Sequence, residues 1–225
     1  MAAPSAYEQP TLNRAWEALL AHIPTFVVIW LVVGGLAIVS FLVWLLVFVL
    51  LVGGVAPDVF GVVVAAFIGA IASSPFALLL ALVSFLFSAV PVLYYERGEV
   101  VTVGAAFAEL MRRPLRYVLA GVLYGVLVSV GSIFGVLPGI AVSLVAPVYI
   151  NRVVASDQSI TDALAGSFRA VYASPHAMSF VGIQLLAGLV ASLVSSCTCL
   201  VGLLVAVPML AFYIQNVAYN KGVIT

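Results

Sequence analysis

Charge is what this sequence lacks most. Its 225 residues include 8 Lys plus Arg and 8 Asp plus Glu, so 7% are charged and the formal net charge is zero. A soluble domain carries about a quarter charged residues to face water. So few basic residues also leave no electrostatic footprint for nucleic acid. Cysteine is nearly absent too: the only two, Cys197 and Cys199, sit together as "CTC". That spacing cannot build a disulfide framework, and a bridge across one residue would be strained. Two thiols could seat a metal, but no second pair of ligands is near, so no metal or cofactor is expected. The only histidines are His22, two residues before Pro24, and His176, directly after Pro175, and both are expected at a membrane surface with a wet imidazole tip. No glycine-rich nucleotide loop occurs, and no acid–base constellation points to an enzyme.

What is abundant is apolar surface: 65% of residues are hydrophobic, and the mean hydropathy is +1.31. Apolar runs of about twenty residues recur along the chain, which is the length a helix needs to cross a bilayer. Membrane strands would instead alternate over short segments. The expected fold is therefore all-α, a polytopic membrane protein with about six transmembrane helices. The expected spans are about 25–52, 75–95, 115–135, 139–155, 176–196 and 201–219. The start, "MAAPSAYEQP", has no basic segment, and the apolar run after it is too long for a cleaved signal peptide. The first span is therefore expected to be a true membrane helix. Segment 56–74 is expected to extend the second span as a helix, or to re-enter the membrane, with an interruption near Ser73-Ser74-Pro75.

Three polar stretches align without gaps: "TLNRAWEALL" from Thr11, "TVGAAFAELM" from Thr102 and "SITDALAGSF" from Ser159. Each opens on a residue that caps helices through its side-chain oxygen, and Ser159 with Asp162 has capping-box spacing. Apolar residues follow at i, i+3, i+4, i+7, the period of an amphipathic helix, with Ser167 the one polar intruder. A proline closes each stretch (Pro24, Pro114, Pro175) and marks an elbow before an apolar run. Upstream, "PVLYY" at Pro91, "PVYIN" at Pro147 and "PMLAF" at Pro208 each precede a polar cap position, Thr102, Ser159 or Asn220. The chain thus reads as a single transmembrane domain, 1–225, of three repeated α-hairpins. The units are about 9–99, 100–157 and 158–222, each led by an amphipathic surface helix.

All eight basic residues fall on one side of this topology, and the opposite loops carry a single acid, Asp58. The positive-inside rule then places both termini and the three surface helices in the cytoplasm. The densest cluster, "AELMRRPLR" from Ala108, is first of all the elbow of the second unit. Arg14, Arg112, Arg113, Arg116 and Arg169 are the candidates to meet anionic lipid headgroups, at about 1 kcal/mol each. Trp16 is the candidate interfacial anchor, since its ring is apolar and its N–H is polar. A lipid- or partner-binding patch is the alternative reading of the cluster, and replacing Arg112, Arg113 and Arg116 is expected to leave the fold intact. Glu96, Arg97 and Glu99 read as a solvated turn. Within the spans the polar residues are serines and Gln184, which is expected to make a packing hydrogen bond.

The capped "AW" or "AF" helix, the elbow proline, the "LPGI" turn (Leu137 to Ile140) and a second span entered through a proline form a combined pattern. It resembles that of the YciC-like bacterial inner-membrane proteins and of the membrane domain attached to some glycerophosphodiester phosphodiesterases. The resemblance implies an inner-membrane fold and carries over no catalytic residue. Segment 56–74 is an apolar insertion relative to those families, and no phosphodiesterase domain is attached. The function expected is a non-enzymatic structural or accessory component of the envelope or of a larger membrane complex. The alternative is a passive carrier or lipid-handling protein that uses a groove between hairpins. Membrane lipids, anionic ones above all, and a protein in the same complex are the expected partners.

Overall fold

The computed structural model describes residues 2–54, 59–198 and 202–224, and among them every regular element is helical. A 3-10 turn (Pro4–Tyr7) precedes helices α1 (Leu12–Ala21), α2 (Ile23–Gly54), α3 (Val59–Ser84), α4 (Leu86–Arg97) and α5 (Val103–Arg112). After these come α6 (Pro114–Ile133), α7 (Val136–Ser143), α8 (Ala146–Ala155), α9 (Ile160–Ala173), α10 (Ala177–Cys197) and α11 (Leu203–Asn220). Among the described residues six stretches are long and apolar enough to cross a membrane: Ile23–Gly53, Val59–Arg97, Pro114–Ile133, Val136–Ala155, Ala177–Cys197 and Leu203–Asn220. They mark the chain as an all-helical, membrane-embedded protein.

The start signals act as their chemistry dictates. Thr11, Thr102 and Ser159 cap α1, α5 and α9, their side-chain oxygens accepting from the N–H of Arg14, Ala105 and Asp162. Pro114 opens α6, where a missing N–H costs nothing because the first turn has no partner for it. Ser167, the polar intruder, is buried and turns its hydroxyl back onto the Ala163 carbonyl at 2.5 Å. Asn220 does not precede another helix. It ends α11 and donates to the Tyr7 carbonyl at 3.1 Å.

Prolines lie inside helices α3, α4 and α11. Helix α3 runs unbroken through Pro75, so the interruption expected near Ser73-Ser74-Pro75 is absent. Pro75 cannot donate to the Ile71 carbonyl, but the Ser74 hydroxyl does so at 2.7 Å. A neighbouring hydroxyl commonly keeps such a helix intact in lipid. Of segment 56–74, residues 59–74 form the helical extension, whereas 56–58, including Asp58, lie outside the described residues. The expected second span, 75–95, breaks instead at Phe85, between α3 and α4.

The fourth span departs further from expectation. Leu137 to Ile140 lie inside α7, and the turn is made one step earlier by Gly135, at φ 134°, a conformation that disfavours any side chain. A second break at Leu144 and Val145 separates α7 from α8. Pro147 leaves the Ser143 carbonyl without its helical donor, and the Tyr124 hydroxyl replaces it at 3.0 Å. Gln184 donates to the Leu144 carbonyl at 3.1 Å and Tyr172 to that of Ala141. Gln184 therefore makes the packing hydrogen bond expected of it. Three helices, α6, α9 and α10, thus satisfy one broken segment, as non-helical backbone away from water requires.

Two compact units emerge. Residues 27–84 form one and residues 1–26 with 85–225 the other, so the first sequence repeat, 9–99, is shared between them. In the smaller unit Trp44 stacks on Phe48 at 5.1 Å and donates to the Ala66 carbonyl at 3.3 Å. It lies so close to Gly69 that a Cβ there would meet the ring at 3.0 Å. In the larger unit α4, α8 and α11 pack against one another, around fully buried Val90, Val148, Tyr149, Phe212 and Tyr219.

Candidate functional site

The polar chemistry of the larger unit gathers where α4, α8 and α11 end. Asn151 donates to the Tyr219 hydroxyl at 2.7 Å, and Tyr219 donates in turn to the Glu96 carboxylate. One residue from each helix therefore forms a single directed chain, amide to phenol to carboxylate. Asn151 and Tyr219 are buried. Buried polar groups of this kind must be paired, and pairing them fixes how the three helices meet. Sequence reasoning placed Glu96 in a solvated turn and singled out neither Asn151 nor Tyr219. The available signal was the polar cluster "YYERG" following the buried "PVL", matched by "YIN" after Pro147.

A cavity of about 280 Å³ opens beside this chain, lined by Glu96, Asn151, Arg152, Ser156 and Gln158, with Ala2, Ala155 and Ile224 closing its sides. The N-terminal segment helps build this end of the molecule. The Ala3 N–H donates to the Tyr95 carbonyl at 2.9 Å, and Asn216 donates to the Ala6 carbonyl at 2.8 Å. The ring of Tyr7 meets that of Tyr219 edge-on at 5.8 Å.

The five arginines expected at lipid headgroups have different employments. Arg113 is ion-paired with Asp157, and this hydrogen bond holds the Asp157 carboxyl below its ordinary range. Arg116 forks onto the C-terminus of α8, donating to the carbonyls of Val153 at 3.2 Å and Ser156 at 2.9 Å. A cation there satisfies orphan carbonyls and the negative end of the helix dipole. Arg116 therefore links α6 to the end of α8, a role its place in the basic cluster does not announce. Arg14 pairs with Glu8. Arg112 is exposed, 3.8 Å from Glu109, whose nearer partner is Arg97 at 2.8 Å. Arg169 is exposed on α9. Trp16 is 41% exposed and stands with Leu12 and Leu20 in an apolar stripe along α1.

His22 corrects the expectation of a wet imidazole. It is fully buried, between α1 and α2, and both ring nitrogens are engaged. Nδ1 lies 2.7 Å from the Ala18 carbonyl, and Nε2 accepts from the Val101 N–H at 2.9 Å. A carbonyl can only accept, so the proton is on Nδ1 and the ring is neutral. Burial pushes its pKa below the ordinary 6.5, partly offset by the bond to Ala18. Thr25 donates to the Val101 carbonyl at 2.9 Å, so Val101 is held at both ends of its backbone. His176 is exposed, as expected. Among the described residues no group of three or more His, Cys, Asp or Glu is placed to hold a metal ion. Cys197 is free and exposed, and Cys199 lies outside the described residues.

Comparison of the chain with protein-family models, curated proteins and solved structures found no match.

Proposed function

We propose that the chain is a non-enzymatic integral membrane protein, a structural or accessory component of the envelope or of a larger membrane complex. The observation that carries this reading is the use made of its scarce charges. Arg97 ties α4 to Glu109 of α5, Arg113 ties the start of α6 to Asp157, and Arg116 ties α6 to the end of α8. Charges spent as fasteners between helices are what a scaffold requires. The experiment is purification of the full chain in mild detergent, followed by mass spectrometry of copurifying polypeptides and lipids. Reproducible polypeptide partners support the reading; a protein that turns over a substrate overturns it.

The arrangement within the membrane belongs to the same proposal. Three hairpins repeat, each led by an amphipathic surface helix, α1, α5 or α9, and each returning through α4, α8 or α11. In this reading the surface helices lie along the cytoplasmic face of the inner membrane, as the YciC-like resemblance and the basic residues suggest. Their apolar stripes, such as Leu12, Trp16 and Leu20, sit at the headgroup–acyl boundary. Arg112 and Arg169 are the arginines freest to attract anionic lipid, with Arg14 a further candidate. In a background lacking both native cysteines, externally added maleimide should label a cysteine at 197 and spare one replacing Arg97. Labelling at position 97 from outside would sink the orientation.

A second reading, a passive carrier or lipid-handling protein, is favoured by one observation. An apolar cavity of about 240 Å³ lies between α4, α8 and α11, walled by Pro147, Ile150, Val207, Leu210 and Ile214. Gln215 also lines it, 3% exposed and with its amide nitrogen unpartnered among the described residues. Lipid that survives gentle purification within the helical bundle would favour this reading over the first.

A further inference from the structure

The cavity at the ends of α4, α8 and α11 contains two opposite charges that do not touch. Glu96 and Arg152 both line it, yet no ion pair within 4.0 Å joins them. Glu96 is held in place by the Tyr219 hydroxyl, itself fixed by buried Asn151. Arg152 is half-buried, and its guanidinium lies against Gly166 of α9, where a Cβ would come within 2.4 Å of Nη1. Among the described residues no carboxylate or carbonyl accepts from that guanidinium, whereas Arg14, Arg97, Arg112, Arg113 and Arg116 all have protein partners. Two charges positioned separately in one cavity suit a ligand whose own charges are separated.

We propose that this cavity binds the phosphate–ammonium headgroup of an amine-bearing phospholipid, with Arg152 facing the phosphate and Glu96 the ammonium. A simple anion would meet the Glu96 carboxylate, and a simple cation would meet Arg152. A zwitterion satisfies both, and a primary ammonium can donate to the carboxylate where a quaternary one cannot. Asn151, Ser156 and Gln158 supply further polar wall. Location favours a membrane lipid over a free metabolite. The cavity lies at the ends of three candidate spans, Val59–Arg97, Val136–Ala155 and Leu203–Asn220, the level at which headgroups sit. About 280 Å³ is room for a headgroup and not for a whole lipid, whose chains would remain in the bilayer. The inference rests on the reading of the chain as a lipid-contacting membrane protein.

The test uses full-length protein in nanodiscs containing equal parts phosphatidylethanolamine, phosphatidylcholine and phosphatidylglycerol, with retained lipid read by native mass spectrometry. Wild type should retain phosphatidylethanolamine over the other two. Arg152→Gln should lower that retention about tenfold, the loss of one charge-assisted hydrogen bond. Gly166→Ala keeps the charge and displaces only the guanidinium, so it should weaken retention in the same direction. Glu96→Gln should erase the preference over phosphatidylglycerol. Equal retention of the three lipids by folded wild type would overturn the proposal, as would unchanged retention in folded Arg152→Gln. Binding of soluble phosphoethanolamine without retained lipid would overturn the lipid source. Failure here stays distinct from failure of the anionic-lipid reading, which is scored on phosphatidylglycerol with Arg112→Gln and Arg169→Gln.

Discussion

The Nε2 atom of His22 accepts the backbone N–H of Val101 at 2.9 Å, across 79 positions of sequence. This bond and the Thr25–Val101 bond join the elbow between α1 and α2 to the residue just before the cap of α5. The joint needs a neutral imidazole, because a proton on Nε2 would face the Val101 N–H donor to donor.

Acid should therefore loosen this joint. The folded pKa of His22 lies below the unfolded value of 6.5, so on acidification the unfolded chain takes up its proton first. Stability is full above about 6.5 and declines as pH falls from there toward the lowered folded value. Thermal unfolding in detergent should show a lower Tm at pH 5 than at pH 7.5. His22→Gln, which does not titrate, should flatten that difference. The Asp157 contribution, which also has a depressed folded pKa, is lost only at still lower pH, below the ordinary carboxylate value of 3.8. An equal slope in wild type and His22→Gln would show that the loss between pH 7.5 and 5 comes from elsewhere.

Tyr219→Phe should destabilise the bundle by about 1–3 kcal/mol, because buried Asn151 loses its acceptor and Glu96 its hydroxyl donor. Adding Glu96→Gln or Asn151→Ala should cost less than the sum of the single changes. Additive costs in a double-mutant cycle would mean that the chain of hydrogen bonds does not act as a unit.

Two arginines four positions apart should behave differently. Arg116→Gln removes the fork on the α8 C-terminus and should lower stability by about 1 kcal/mol or more. Arg112→Gln lies on the exposed side and should leave stability within about 0.5 kcal/mol. Denaturation of both variants checks this; equal losses would contradict the separate roles.

Ser74→Ala should destabilise α3 only while Pro75 is present. With Pro75, the Ser74 hydroxyl is the replacement donor for the Ile71 carbonyl. In a Pro75→Ala background the backbone N–H at 75 supplies that bond, so the serine becomes dispensable. If Ser74→Ala has the same effect in both backgrounds, the hydroxyl is not compensating for the proline.

Local pattern was enough to recover the six apolar stretches and the starts of α1, α5 and α9. Long apolar runs announced six candidate spans because a helix in lipid must be apolar over its whole length. Thr11, Thr102 and Ser159 could be read as caps because a cap bonds only three residues away. Proline positions announced irregularity, but their consequences depended on neighbours. Pro75 is absorbed by the adjacent Ser74, while the break before Pro147 is tolerated because Tyr124, Tyr172 and Gln184 supply donors from other helices. The polar junction was hidden for the same reason. Glu96, Asn151 and Tyr219 are separated by up to 123 positions, and each alone looks like an ordinary residue near a helix end. His22 reads as interfacial from its neighbours along the chain and is buried by residues far from it. Hydropathy and capping are properties of a few consecutive residues, so sequence by itself determined them. Which polar groups meet at a helix junction, and which arginines keep a protein partner among the described residues, follows from how helices pack, and only the tertiary structure decided it.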